Sequence, residues 1–211
     1  MEKSRSIYIG LLALFIGASL LGGSAIFVRF SETSPSLTAF YRALLALPFL
    51  FFWVLSTKSD IPLRSYLTKP NLIFLFLAGV FFGSDMAIWN WSISFTSVAH
   101  ATLMANTAPI FVTLVSFFFL RQEIKTSFFG SLFLSFLGVA IVILAGSGSD
   151  SGRLLGDSLG LIAAIFYAAY ILAIKKLTET VPPAHTLFFA TLFTSIFLCP
   201  VGVIESDSFF P

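Results

Sequence analysis

Charge is scarce in this 211-residue chain: Asp, Glu, Lys and Arg make up 10% of it, 12 basic against 10 acidic, for a net charge of +2. A soluble globular domain carries about 25%, and a nucleic-acid-binding domain gathers Lys and Arg on one face. Neither class fits, and no nucleic acid is expected as a partner. The single cysteine, Cys199, excludes an intramolecular disulfide and a cysteine-based zinc cluster, and reads as a small apolar packing residue. The two histidines, His100 and His185, have no ligand-spaced neighbours, so no metal site is expected; each reads as a solvated residue at the end of a helix. A nucleophile beside a base and a Gly-rich phosphate loop are also missing. The sequence therefore points away from an enzyme and requires no cofactor.

What the chain has in excess is apolar surface. Hydrophobic residues reach 57%, Phe alone numbers 27, and the mean hydropathy is +0.97. A helix crossing about 30 Å of hydrocarbon needs about 20 apolar residues. Seven segments qualify, at 7–28, 37–56, 71–92, 98–120, 126–146, 158–175 and 184–204, separated by short connectors rich in Pro, Gly, Ser and charge. The fold class is all-α, a polytopic membrane bundle of about seven helices whose partner is the lipid bilayer.

The charges also fix an expected orientation. With a cytoplasmic N-terminus, Lys3, Arg5, Lys58, Arg64, Lys69, Arg121, Lys125, Lys175 and Lys176 lie inside and only Arg29 and Arg153 outside, with Arg42 inside a span. That bias obeys the positive-inside rule. It predicts a multi-pass protein of the cell membrane, plasma or bacterial inner, with the acidic tail "ESDSFFP" outside.

The stretch "LGGSAIFVRFSETSPSLTAFYRALLALPFLFF" runs parallel to "FYAAYILAIKKLTETVPPAHTLFFATLFTSIF". Each is a span closing on basic residues, a polar connector with Pro, then a second span. About five spans separate equivalent points, so the second copy enters the membrane in the opposite sense, as in transporters built from inverted repeats.

The block "SVAHATLMANTAPIFVTLVSFFFLRQEIKTSFFGSLFLSFLGVAIVILAG" resembles the end of an EamA-type repeat of the drug/metabolite transporter superfamily, with Pro109, Glu123, Gly130 and Gly138 in the characteristic places. "GDSLGLIAAIFYAAYILAIKK", with Tyr167 and Tyr170, is similar to the opening of the second repeat, and "LTAFYRALLALPF" to the Arg-bearing second helix at Arg42. The resemblance implies two five-helix repeats, of which residues 1–147 form the first and 156–211 the incomplete start of the second; truncation after the seventh of ten helices is the expectation. It also implies a permease or exporter of small metabolites, amino acids or drugs, working by alternating access. A non-transporting seven-helix assembly or receptor-like protein is the alternative. Proton coupling and homo-oligomerisation are both compatible with the sequence.

Polar groups inside spans mark the expected site, because an ionisable side chain at mid-membrane costs at least about 2.5 kcal/mol. Arg42 and Asp85 are two such groups, predicted at similar depth and able to pair, either as scaffolding or as a counter-ion and an amine or proton acceptor. Trp89 shares a helix face with Asp85, and Asn90 lies about 100° round. Ser24, beside Gly22 and Gly23, and the phenols of Tyr167 and Tyr170 line the cavity in the same reading. Gly79 and Gly83 form a small-residue packing face. Pro109 removes a backbone donor and should bend span four, leaving the Ala105 carbonyl to be served by Thr102, Asn106 or Thr107, with Asn106 as the contact to solute.

Overall fold

The structure, a computed structural model, describes residues 2–57, 66–121, 126–145 and 151–205. Within them the chain forms eight α-helices: α1 (Glu2–Arg29), α2 (Pro35–Ser56), α3 (Lys69–Phe95), α4 (Val98–Ala105), α5 (Ala108–Phe118), α6 (Thr126–Ala145), α7 (Ser151–Leu177) and α8 (Pro183–Glu205). Helix is what lipid demands, since every backbone N–H and C=O must find its partner within the segment. Counting α4 and α5 as one broken span, five described helices are long and apolar enough to cross a membrane. α1 and α6, of 28 and 20 residues, also have the length of a span. Glu123, Lys58, Arg64, Lys125 and residues 206–211 lie outside the described residues.

Local signals set the ends. Ser34 caps α2 by accepting from the Leu37 N–H at 3.3 Å, and Pro35 fills the first turn, where its missing donor costs nothing. Glu205 at the far end of α8 accepts from the Ser36 N–H at 3.0 Å, fastening α8 to the first turn of α2. Asn71 in the first turn of α3 donates to the Tyr66 carbonyl at 2.7 Å.

Packing rests on small residues. Gly156, Gly160, Ala164 and Ala168 recur every fourth position on α7 and form a buried ridge on which α3 and α4 settle. A Cβ on Gly156 would stand 2.8 Å from the Thr96 nitrogen, and one on Gly160 would stand 2.7 Å from the Met104 Cβ. Gly79 of α3 meets α8 in the same manner, and its carbonyl accepts from Thr194 at 3.0 Å. Gly79 and Gly83 are thus packing residues, as their spacing predicts. α2 packs lengthwise on α8. Cys199 joins the apolar cluster of Leu37, Phe40, Met86 and Leu198 between them.

Two expectations need correction. Span four bends, but the break falls at Asn106 and Thr107, and Pro109 sits in the first turn of α5 rather than at a kink within a continuous helix. Thr107 serves the freed backbone: its hydroxyl donates to the Met104 carbonyl at 2.6 Å. Asn106 is exposed, and Thr102 Oγ1 is buried with no hydrogen-bond partner among the described residues. Span six begins earlier than 158, because α7 opens at Ser151 and carries Arg153 and Asp157 within its first two turns.

Candidate functional site

Three helices bring a cluster of polar side chains together beside the α2 N-terminal half. Arg42 of α2 donates from Nη2 to Ser24 Oγ of α1 at 3.1 Å and from Nη1 to Asn90 Oδ1 of α3 at 3.5 Å. Its guanidinium lies over the Trp89 ring, 5.6 Å from the centroid, so the indole face supports the cation. Asn90 is almost wholly buried and uses its amide to donate to the Pro35 carbonyl at 2.8 Å. The turn before α2, the arginine and α3 are thereby locked in one geometry. Asn90 reaches Arg42 although it lies round the helix from Trp89, because Arg42 is long enough to span both faces.

Asp85 stands one turn below Trp89. It forms no contact ion pair with Arg42, contrary to the pairing the sequence allows, and has no hydrogen bond among the described residues. It remains in the electrostatic field of Arg42 and of the phenols of Tyr167 and Tyr170 on α7. The two tyrosines stack at 6.0 Å between centroids, and Tyr170 stacks in turn on Phe82 at 4.6 Å. Phe82 is only three residues from Asp85, so these rings approach α3 beside the acid. Arg42 touches Ser24, Trp89 and Asn90, and Tyr167 and Tyr170 lie within the electrostatic reach of Asp85. Asn106 takes part in neither.

A groove of about 580 Å³ runs between α3, α5 and α7, lined by Phe74, Leu77, Phe81 and Leu172, and reaches Lys175 and Lys176; no residue of the polar patch lines it. Phe81 precedes Asp85 by one turn, and the groove also touches Ala169, next to Tyr170.

At the other end, polar side chains tie the helices together. Arg29 of α1 donates from Nη1 to the Ile93 and Thr96 carbonyls, at 2.5 and 2.9 Å, capping α3. Thr96 donates to Asp157 Oδ1 at 3.0 Å, Asp157 meets His100 Nδ1 at 3.4 Å, and Arg153 reaches His100 Nε2 at 2.7 Å. Ser92 adds a bond to the Gly156 carbonyl at 2.7 Å. His100 is not the solvated histidine its position implied. His100 is half-buried and His185 is buried, edge-on to Tyr66 at 5.2 Å. Asp157 drew no attention in the sequence because it falls in a Gly- and Ser-rich stretch that reads as a connector. The signal available was that Arg29 and Arg153 are the two basic residues expected on the outer side. Among the described residues, no three His, Cys, Asp or Glu side chains gather as a metal site would require.

A bundle of membrane-length apolar helices holding a half-buried arginine and an acid without a hydrogen-bond partner is the architecture of a polytopic membrane protein. The chain belongs to the EamA-like transporter family, which it matches over residues 8–144 and 154–211. It is 26% identical to the uncharacterized transporter YetK of Bacillus subtilis, an alignment covering 99% of this chain and 63% of YetK. An uncharacterized transporter of Archaeoglobus fulgidus is 27% identical over 92% of this chain and 67% of its own length. The S-adenosylmethionine uptake transporter of Rickettsia felis is 22% identical over 90% and 58%. The chain thus spans about two thirds of the length of these relatives. No solved structure matches.

Proposed function

We propose that the chain forms the greater part of a secondary transporter that moves small amphipathic metabolites bearing both an amine and a carboxylate, amino acids among them, across the cell membrane. The carrying observation is Asp85: a carboxylate in a span, facing aromatic rings, with the nearby cation engaged by Ser24, Asn90 and Trp89 instead. A scaffold acid would be hydrogen-bonded or ion-paired, because leaving one bare in a low dielectric is expensive. An acid left without a hydrogen-bond partner is available to an amine or a proton, and Arg42 can offer remaining donors to a carboxylate.

Alternating access between two oppositely inserted repeats, residues 1–147 and 156–211, is the mechanism we assign. The packing of α2 against α8 supports it, since these helices hold equivalent places in the two copies. In the orientation with the N-terminus cytoplasmic, the groove ending at Lys175 and Lys176 opens inward, and the ties at Arg29 and Asp157 close the outer side. The uptake transporter of Rickettsia felis acts on S-adenosylmethionine, a solute with an amine, a carboxylate and a flat ring system, and such chemistry suits this site.

The test is flux into proteoliposomes of labelled amino acids and labelled S-adenosylmethionine, with and without an imposed proton gradient. The chain is compared with a form extended by the last three helices of YetK. Saturable flux from the extended form is expected. No flux from either form rejects transport in favour of a non-transporting membrane assembly.

A further inference from the structure

One turn from Asp85 along α3, Phe82 begins a row of three near-parallel rings. Tyr170 of α7 is the middle one. It stacks on Phe82 at 4.6 Å between centroids with the planes 25° apart, and Tyr167 stacks on it at 6.0 Å and 21°. Phe82 and Tyr170 are half-buried packing residues, set against the apolar clusters that join α3 to its neighbours. Tyr167 is different: it keeps 38% of its surface exposed, and among the described residues it joins no apolar cluster.

Its place on the helix makes that exposure unusual. Tyr167 follows Ala163 by four residues and Ala164 by three and precedes Ala168, and all three alanines are buried, so Tyr167 stands on the face that α7 turns to the bundle. The exposed Ile162 and Ile165 mark the opposite side. The neighbouring rings are engaged: Trp89 turns to the Arg42 guanidinium, and Phe82 and Tyr170 cover one another. Tyr167 ends the row with ring surface to spare. Asp85 lies within electrostatic reach of its phenol, is itself half-buried, and has carboxylate oxygens that are not sealed among the described residues. An open π surface and an accessible acid thus serve one region of the bundle.

We infer that Tyr167 determines specificity at the proposed solute site: a planar aromatic or heteroaromatic ring of the solute stacks on its open surface as a fourth plate of the row, while the solute's amine engages Asp85. The inference rests on the reading of Asp85 as an amine acceptor and narrows the solutes to amines that carry a flat ring. Stacking of this kind adds about three- to tenfold in affinity beyond what apolar area supplies. It also tolerates different rings, because each has a π face. The site therefore selects planarity and not one compound.

The experiment is competition for tritiated L-phenylalanine bound to the chain in phosphatidylcholine nanodiscs, with unlabelled L-phenylalanine, L-tryptophan and L-cyclohexylalanine as competitors. The last has the same amine and carboxylate and a ring of similar bulk, but no π face. The two aromatic amino acids are expected to compete about three- to tenfold better than the saturated one. A merely apolar pocket would rank the saturated ring equal or better, since it offers at least as much apolar surface. Y167L should abolish the preference, and Y167F should keep it, because the stack uses the ring and not the hydroxyl. The comparison in the unsubstituted chain stands as a test even where Y167L does not fold. D85N should weaken all three competitors alike and leave the preference in place. Binding without a preference for aromatic rings, or a preference that survives Y167L, overturns the role of Tyr167 and leaves the solute site standing. Competition untouched by D85N, with the preference lost in Y167L, upholds the ring site and overturns the amine role of Asp85. Absence of saturable binding overturns both.

Discussion

Asp85 and Asp157 are both acids within helices of a chain built almost wholly of apolar residues, and the structure treats them in opposite ways. Asp157 is buried and served on the spot by Thr96 Oγ1 at 3.0 Å and His100 Nδ1 at 3.4 Å. Asp85 has the charge of Arg42 and the phenols of Tyr167 and Tyr170 within electrostatic reach, and no hydrogen bond among the described residues. A satisfied acid holds helices together, and a bare one lowers stability and persists only where something outside the fold repays it. The contrast is what the proposed function predicts, with Asp157 in the architecture and Asp85 left for the solute.

The sharpest way to break that contrast is Asp85→Asn. In the proteoliposome assay on the extended form, amine-bearing solutes should lose on the order of a hundredfold in flux, the scale of one charged contact worth about 3 kcal/mol. The thermal midpoint should stay level or rise, because the isosteric amide sheds a desolvated charge and gives up no hydrogen bond. A falling midpoint with flux intact would make Asp85 scaffolding after all.

Next in size is a test of the frame on which both acids sit. A Cβ on Gly79 would lie 2.9 Å from the Phe193 carbonyl carbon and the Thr194 nitrogen, both backbone atoms that cannot turn aside. Gly79→Ala should destabilise the bundle by about 1 to 3 kcal/mol in reversible unfolding from detergent. Gly130→Ala on α6 meets nothing within 4 Å and should be neutral or gain up to about 1 kcal/mol from helix propensity. Equal effects at the two positions would contradict the close approach of α3 and α8.

Asp157→Asn is the counterpart of the first substitution, with the effects exchanged. It should cost about 1 to 3 kcal/mol of stability, by weakening a charge-assisted bond to His100 in a buried setting. Flux per folded molecule should be retained. A full loss of flux at unchanged stability would place Asp157 in the transport path and erase the distinction between the two acids.

How far this was legible beforehand differs residue by residue. The helical class, the spans and the packing of Gly79 and Gly83 follow from the demands of lipid on any backbone, so the sequence carries them. Arg42, Asp85 and Trp89 stood out because charge and indole in a span are rare. That Arg42 would bind Ser24 and Asn90 rather than Asp85 was not legible, because it depends on where α1 meets α2, a tertiary relation with no local signature. Asp157 and the early start of α7 were hidden by composition: "GSGSDSGRLLGDS" reads as loop, and packing of Gly156 against Thr96 overrides that propensity. Those same glycines, read at intervals of four through Ala164 and Ala168, were the available clue to a helix face.

The smallest expected effect concerns the broken span. Pro109 lacks the N–H that would bond the Ala105 carbonyl, yet the break lies at Asn106 and Thr107, both with ψ near zero, at −1° and −5°. Two forces hold it there besides the proline. Thr107 Oγ1 ties down the Met104 carbonyl, and Met104 is wholly buried against Gly160 of the α7 ridge. Straightening the helix would swing Met104 or α5 off that ridge and cost more than the single hydrogen bond an alanine could restore, about 1 kcal/mol. Pro109→Ala should therefore change stability by less than about 1 kcal/mol and leave the distance between spin labels at exposed positions on α4 and α5 unaltered. Thr107→Val in the same background removes the second tie, so a distance that lengthens only in the double variant assigns the bend to packing and the threonine, whereas lengthening in Pro109→Ala alone assigns it to the proline.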